Sequence, residues 1–212
     1  FERWAAVARP VEVIIAGDFL ELESASEHPG ARPRTIEQDL ADGRAIMQRL
    51  LSLAPRITLR EGNHSTRAAR IVQHRVPSMA SRFRSPLDDF AEMGVAVDTH
   101  THSPTRRGNL LVLHGDEGFR GGNGGAMHSR KMLEMYAEPG ATILYGHWHR
   151  TQHFVRPMEL GNAEAYALPC MRSLNPGWLG AELSGWQQGW AAVTLCAGRR
   201  ATVEVLRYES GK

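Results

Sequence analysis

Four times before His149, a short apolar run stops abruptly at a cluster of polar side chains. Val11–Ala16 runs into Gly17-Asp18-Phe19-Leu20-Glu21, and Ile57–Leu59 into Glu61-Gly62-Asn63-His64. Leu110–Leu113 delivers His114-Gly115-Asp116, and Ala141–Tyr145 delivers Gly146-His147-Trp148-His149. Apolar runs this short, with no polar alternation, suit strands covered on both faces. Helical signals lie between them. Thr35-Ile36-Glu37-Gln38 spells a capping box, Ile36, Leu40, Met47, Leu50 and Leu51 share one helical face, and Pro55 stops the helix. Further helices are expected over Ser65–His74, Leu87–Met93 and His128–Glu138, with an edge-like strand at Val95–Val97. Strands alternating with helices predict βαβ units and a largely parallel sheet. Such sheets bind ligands beyond the C-terminal ends of their strands, which is where the polar clusters fall.

After His149 the texture changes. Gln152–Arg156, Glu164–Leu168, Gly189–Cys196 and Ala201–Arg207 read as strands separated by turn residues, without long helices. They predict a second, mostly antiparallel sheet packed on the first. Glu23–Arg34 and the glycine-rich Gly118–Gly125 read as loops; the latter lacks the Gly-Lys-Ser/Thr ending of a phosphate-binding loop. No internal repeat or composition break divides the chain, so residues 1–212 are expected to form a single domain.

Composition narrows the function classes. With 212 residues and 42% hydrophobic content the chain can bury a substantial core. No apolar run approaches the roughly 20 residues of a membrane span, and no secretory signal pattern appears, so neither a membrane nor export is expected. Cys170 and Cys196 belong to no Cys-x-x-Cys pattern and read as reduced and buried, as in a cytoplasmic protein. A net charge of +2 does not by itself imply nucleic acid. Arginine outnumbers lysine 23 to 2, which suits planar phosphate recognition or a compositional bias of the genome.

The four polar clusters offer Asp18, then Asn63 with His64, then His114, then His147 with His149. In extended backbone, residues two apart face the same side, so His147 and His149 can address one pocket. Carboxylate and amide oxygen with imidazole nitrogen suits borderline divalent ions such as Mn²⁺, Fe²⁺, Zn²⁺ or Ni²⁺. Two such ions, sharing a carboxylate, are the machinery of two-metal hydrolases. The arginines from Arg67 to Arg84 read either as a solvated face or as a rim that attracts phosphate.

In order and type these blocks resemble the calcineurin-like metallophosphoesterase superfamily, which includes phosphoprotein phosphatases, purple acid phosphatases and bacterial and phage nucleases. The family signature runs D-x-H, G-D-x-x-[DE], G-N-H-[DE], H and G-H-x-H. This chain has Gly17-Asp18-Phe19-Leu20-Glu21, Gly62-Asn63-His64-Ser65, His114 and Gly146-His147-Trp148-His149. Its tail, with Trp186 and Gly189-Trp190, looks most like short phage or prophage members. The resemblance implies a two-sheet αββα sandwich and a two-metal phosphoesterase, with manganese the foremost candidate and iron, zinc or nickel behind it. It implies that Asp18 bridges both ions, that Asn63, His114 and His147 complete one site, and that His149 joins the other. A metal-bridging hydroxide would attack phosphorus, His64 would act as general acid or as a donor to a phosphoryl oxygen, and Arg67 would bind substrate. That substrate would be a phosphodiester, DNA or RNA included, or a phosphomonoester.

Two departures qualify the likeness. Ser65 stands where the family usually carries a carboxylate beside the histidine, and no D-x-H precedes Asp18. The chain opens at Phe1, in what reads as the tail of a helix ending at Pro10, so the first strand is expected upstream of Phe1. Asp98-Thr99-His100 also spells D-x-H, but between the third and fourth blocks. Without the upstream pair, the 212-residue form is expected to be weakly active or inactive. The alternative is a scaffold of the same fold that has lost catalysis and binds partners, and a third reading makes the histidines purely structural.

Overall fold

The computed structural model describes residues 1–26, 33–99, 103–117, 127–174, 185–197 and 200–208. Among these residues it is a mixed α/β structure with three sheets, and the chain divides into two compact units, Phe1–Thr101 and His102–Lys212.

The first unit opens with helix α1 (Glu2–Ala8), closed by Arg9 in the left-handed conformation, and continues into β1 (Val13–Ile15). Helix α2 (Ile36–Leu53) carries the chain to β2 (Ile57–Arg60), and α3 (Arg67–Arg75), a 3-10 turn (Pro77–Arg82) and α4 (Asp88–Glu92) lead to β3 (Ala96–Asp98). The three strands pair in parallel in the order β1-β2-β3. The expected capping box starts α2: Thr35 Oγ1 accepts from the Gln38 amide at 3.3 Å, and Gln38 Oε1 accepts from the Thr35 amide at 3.0 Å. All five residues of its apolar face join the core, where Leu20, Leu22, Leu59, Leu87 and Phe90 meet them. Central β2 is buried at every position. Its last residue, Arg60, has a fully buried side chain that donates to Asp98 at 3.1 Å, directly across the β2–β3 register.

In the second unit, β4 (Thr105–Arg107) and β5 (Leu110–Leu113) form a hairpin, and α5 (His128–Tyr136) crosses to β6 (Thr142–Tyr145). Two further strands, β7 (Gln152–Arg156) and β8 (Ala163–Ala167), complete a five-stranded sheet of order β4-β5-β6-β8-β7. Strands β5, β6 and β8 are parallel and the two edges are antiparallel. Its core gathers Leu111, Leu113, Ile143 and Tyr145 under Met132 and Leu133 of α5. Strands β9 (Gly189–Thr194) and β10 (Thr202–Arg207) form a separate antiparallel pair.

Here the structure differs from the sequence reading. The late strands do not make one antiparallel sheet: β8 extends the β5–β6 sheet in parallel, its small Ala163, Ala165 and Ala167 all buried. Alanine at alternate positions lets α5 pack closely, an option that β propensity does not reveal. Strand β4 has no counterpart in that reading, because Thr105-Arg106-Arg107 carries no apolar run. Cys170 is half-buried and Cys196 exposed, so the burial expected for both cysteines is corrected for Cys196; both are free thiols. The Gly118–Gly125 loop and His100 lie outside the described residues. No helix among the described residues is long and apolar enough to cross a membrane.

Candidate metal centre

Within the first unit, the loops that leave β1 and β2 bring Asp18, Asn63, His64 and Arg67 together. Asp18 sits at φ 50°, a left-handed backbone that side chains rarely adopt. Its Oδ1 accepts from the His64 amide at 2.9 Å. Gly62 makes that approach possible, because a Cβ there would lie 2.3 Å from Asp18 Oδ1 and 2.4 Å from the Asp18 nitrogen. The turn is closed by buried Ser65, whose Oγ donates to Gly62 O at 2.8 Å and accepts from the Gly62 amide at 3.1 Å.

Ser65 is thus occupied with the turn and does not replace the carboxylate expected beside His64. Glu21 supplies one instead. Its Oε1 lies 3.5 Å from His64 Nδ1, while Asp18 Oδ2 lies 3.7 Å from Nε2, so the ring sits between two carboxylates. Arg67 Nη1 donates to Glu21 O at 2.8 Å and stands 3.5 Å from its carboxylate. The residue assigned to substrate therefore also fixes the loop that holds His64. Glu21 was visible as the last position of the Gly17–Glu21 block, but spacing alone did not pair it with a ring 43 residues later. Glu61, beside this turn, has its carboxyl pushed up by burial.

Within the second unit, β5 and β6 lie side by side and end at His114 and His147. His114 is almost wholly buried, and its Nε2 lies 3.2 Å from His147 Nδ1. The two rings meet edge to face, centroids 5.1 Å apart. His147 is the middle residue of a three-residue turn closed by the Trp148 amide donating to Gly146 O at 2.8 Å, and its φ is 65°. Turns of this kind with positive φ are strained. His149 is also left-handed, at φ 59°. Of the five non-glycine residues with positive φ among the described residues, three are thus candidate ligands (Asp18, His147 and His149). Strain of this sort clusters where a site, rather than the fold, sets the backbone.

Side chains outside the sequence-based set hold these histidines. Glu117, almost wholly buried, accepts from the His114 amide at 3.0 Å and the Gly115 amide at 2.6 Å. Trp148 Nε1 donates to Gly115 O at 3.1 Å and ties the two loops together. Gly115, at φ 114°, has room for no side chain: a Cβ would meet Gly146 O at 2.8 Å. Buried His128 packs on Trp148, ring centroids 4.1 Å apart, and burial with the His147 ring nearby pushes its imidazole down to about 3. The His149 ring stacks on Trp186 at 4.3 Å, and His149 O accepts from the Gln187 amide at 2.8 Å. A carboxylate three residues after His114 was the available signal for Glu117; nothing in sequence linked His149 to Trp186.

No family model matches the chain, and no curated protein matches it. Among solved structures, a Vps29 single mutant from Entamoeba histolytica aligns over 93% of this chain and 99% of its own, at 11% identity and a TM-score of 0.38.

Proposed function

We propose that the protein is a metallophosphoesterase-like, divalent-metal-binding scaffold in which hydrolysis is impaired. One observation carries the metal: His114 Nε2 and His147 Nδ1 stand 3.2 Å apart at the ends of adjacent parallel strands. Two nitrogens bound to one ion at about 2.1 Å lie about 3.0 Å apart at a right angle and about 3.4 Å apart at the tetrahedral angle. The observed pair fits between those limits, which suits one shared ion. Asp18 is the carboxylate we assign to the same ion beside His114 and His147, and Asn63 is the amide oxygen.

When bound, such an ion lowers the pKa of water and draws off charge from a phosphoryl oxygen. The chain's own residues do the rest. Glu117 and Trp148 hold the His114 and His147 loops in register, Ser65 and Gly62 hold Asp18, and Glu21 with Asp18 orients His64 toward a phosphoester. A phosphodiester, nucleic acid included, or a phosphomonoester is the ligand class this arrangement would take. Impairment follows from the donor count. A second ion would have only Asp18 and His149 among the described residues, and the His149 ring is stacked on Trp186. Asp98, at the end of β3, is paired with the buried Arg60 guanidinium.

His64 favours a second reading, a working phosphoesterase, because an imidazole between two carboxylates is placed as a general acid would be. Mn²⁺ titration together with hydrolysis of bis-p-nitrophenyl phosphate separates the two. Bound metal with only background hydrolysis supports the scaffold. Metal-dependent turnover that His64→Asn abolishes replaces it with the enzyme. If no metal binds, both readings fail.

A further inference from the structure

We infer that the groove between α3 and the 3-10 turn docks a short acidic segment of a partner protein, anchored by one bulky apolar side chain. The sequence here is one-sided: residues 65–86 contain five arginines and no aspartate or glutamate. Three of the five are committed inside the first unit. Arg67 serves Glu21, Arg70 donates to Asn63 O at 3.1 Å, and Arg84 pairs with Glu92 at 2.7 Å and Asp89 at 3.4 Å. Arg75 and Arg82 are exposed and form no ion pair with a described residue. Arg82 lines the groove and Arg75 directly precedes the lining residue Val76, so two cations that the fold itself does not pair belong to this segment.

The groove itself is apolar and concave. Val76 and Met79, which line it, are 43% and 56% exposed. A cavity of about 270 Å³ opens there, lined by Val72, Val76, Met79 and Phe83 with Arg82 and Arg84. Its size decides what it can hold. It falls below the roughly 300–1,000 Å³ typical of small-molecule sites. It exceeds the roughly 150 Å³ that accommodates benzene. One large side chain fits. Acidic residues flanking that anchor would then meet Arg75 and Arg82, making charge-assisted contacts at the rim.

The lining chooses between kinds of macromolecule. A single-strand nucleic-acid surface stacks successive bases on aromatic rings, whereas this cavity has one half-buried aromatic ring and otherwise aliphatic walls. A membrane surface takes a helix with a broad apolar face, whereas α3 shows solvent only Ile71 among its large apolar residues and the apolar wall is recessed. A hydrophobic anchor between acidic neighbours matches both features.

The test uses the full chain and three fluorescein-labelled nonapeptides, each with three acidic residues on either side of a central Leu, Met or Phe. Fluorescence anisotropy at low salt should give saturable binding by at least one of them, with a Kd on the order of 100 μM. Replacing the central residue by Ser should weaken binding about tenfold or more, and so should replacing the acidic residues by Gln. Met79→Asp and Arg82→Glu should each weaken it to a similar degree, while Leu160→Asp, on the other unit, should leave it unchanged. Both positions 79 and 82 are exposed, and circular dichroism with a thermal melt checks that the variants stay folded. Binding should persist in EDTA and in His147→Ala, which keeps this result separate from the metal proposal. No binding at about 1 mM peptide overturns the inference, as does equal affinity for Leu- and Ser-centred peptides. Tighter binding of an oligothymidylate of matched charge, or of anionic phosphatidylserine vesicles, to the same Arg82 and Met79 surface also overturns it.

Discussion

Gly62→Ala should be among the costliest single-methyl additions in the molecule. The new Cβ would lie 2.3 Å from Asp18 Oδ1 and 2.4 Å from the Asp18 nitrogen, about 1 Å inside an ordinary carbon–oxygen contact of about 3.3 Å. Neither side can yield freely. Ser65 clamps Gly62 through both its amide and its carbonyl, and the His64 amide holds the Asp18 carboxylate. Overpacking costs about 1–3 kcal/mol, and loss of a hydrogen bond to a charged acceptor about 1.5–3 kcal/mol. Because the two losses share one displacement, we expect about 3 kcal/mol in all. With a urea slope of about 3 kcal/mol/M for a chain of this size, the unfolding midpoint should fall by about 1 M. Gly43→Ala is the matched control. Its Cβ meets Leu20 Cδ2 at 2.8 Å and Phe90 Cζ at 3.1 Å, the far ends of side chains rather than a backbone or a hydrogen-bonded carboxylate. It also gains about 1 kcal/mol of helix propensity inside α2. Its midpoint should stay within about 0.3 M of the native protein. Equal midpoints for Gly62→Ala and native protein would refute the close packing of Gly62 on Asp18.

Three other outcomes can be checked on the same apparatus. Glu117→Ala strands the amides of His114 and Gly115 in a buried loop, and should cost about 3 kcal/mol in urea unfolding. Thr35→Ala removes half of the α2 capping box and should cost about 1 kcal/mol. His128 is held neutral in the fold at about 3, below its unfolded value near 6.5, so the unfolded chain binds the extra proton first. Stability should be full above about pH 6.5 and decline as the pH falls toward about 3, by about 2 kcal/mol at about pH 5. His128→Phe should remove that component of the slope, seen as a shallower fall in urea midpoint between about pH 7 and pH 5.

Local structure was legible in the sequence wherever one signal acted alone. The Thr35–Gln38 capping box, the apolar face of α2 and the strands ending at His114 and His147 all form as expected. Partnership between strands was harder to read, because register and neighbour choice depend on packing across long separations. Thus β8, with alanine at alternate positions, joins β6 in parallel, although the turns around it suggested a mostly antiparallel sheet. The candidate donors were readable because each directly follows an apolar strand. Their supports were not. Glu21 reaches His64, Glu117 braces His114, and Trp186 covers His149 through contacts that no periodicity encodes. Ser65 shows the reverse case: a departure from the family pattern that the structure explains by a turn.

The decisive measurement is Co²⁺ or Mn²⁺ binding to the purified chain, followed by calorimetry and by the visible spectrum of the cobalt form. We expect one ion per chain, with affinity lowered about tenfold or more by each of Asp18→Asn, His114→Ala and His147→Ala, and little changed by His153→Ala. Absence of binding, or binding that survives all three substitutions, would contradict the assignment of Asp18, His114 and His147 to one ion.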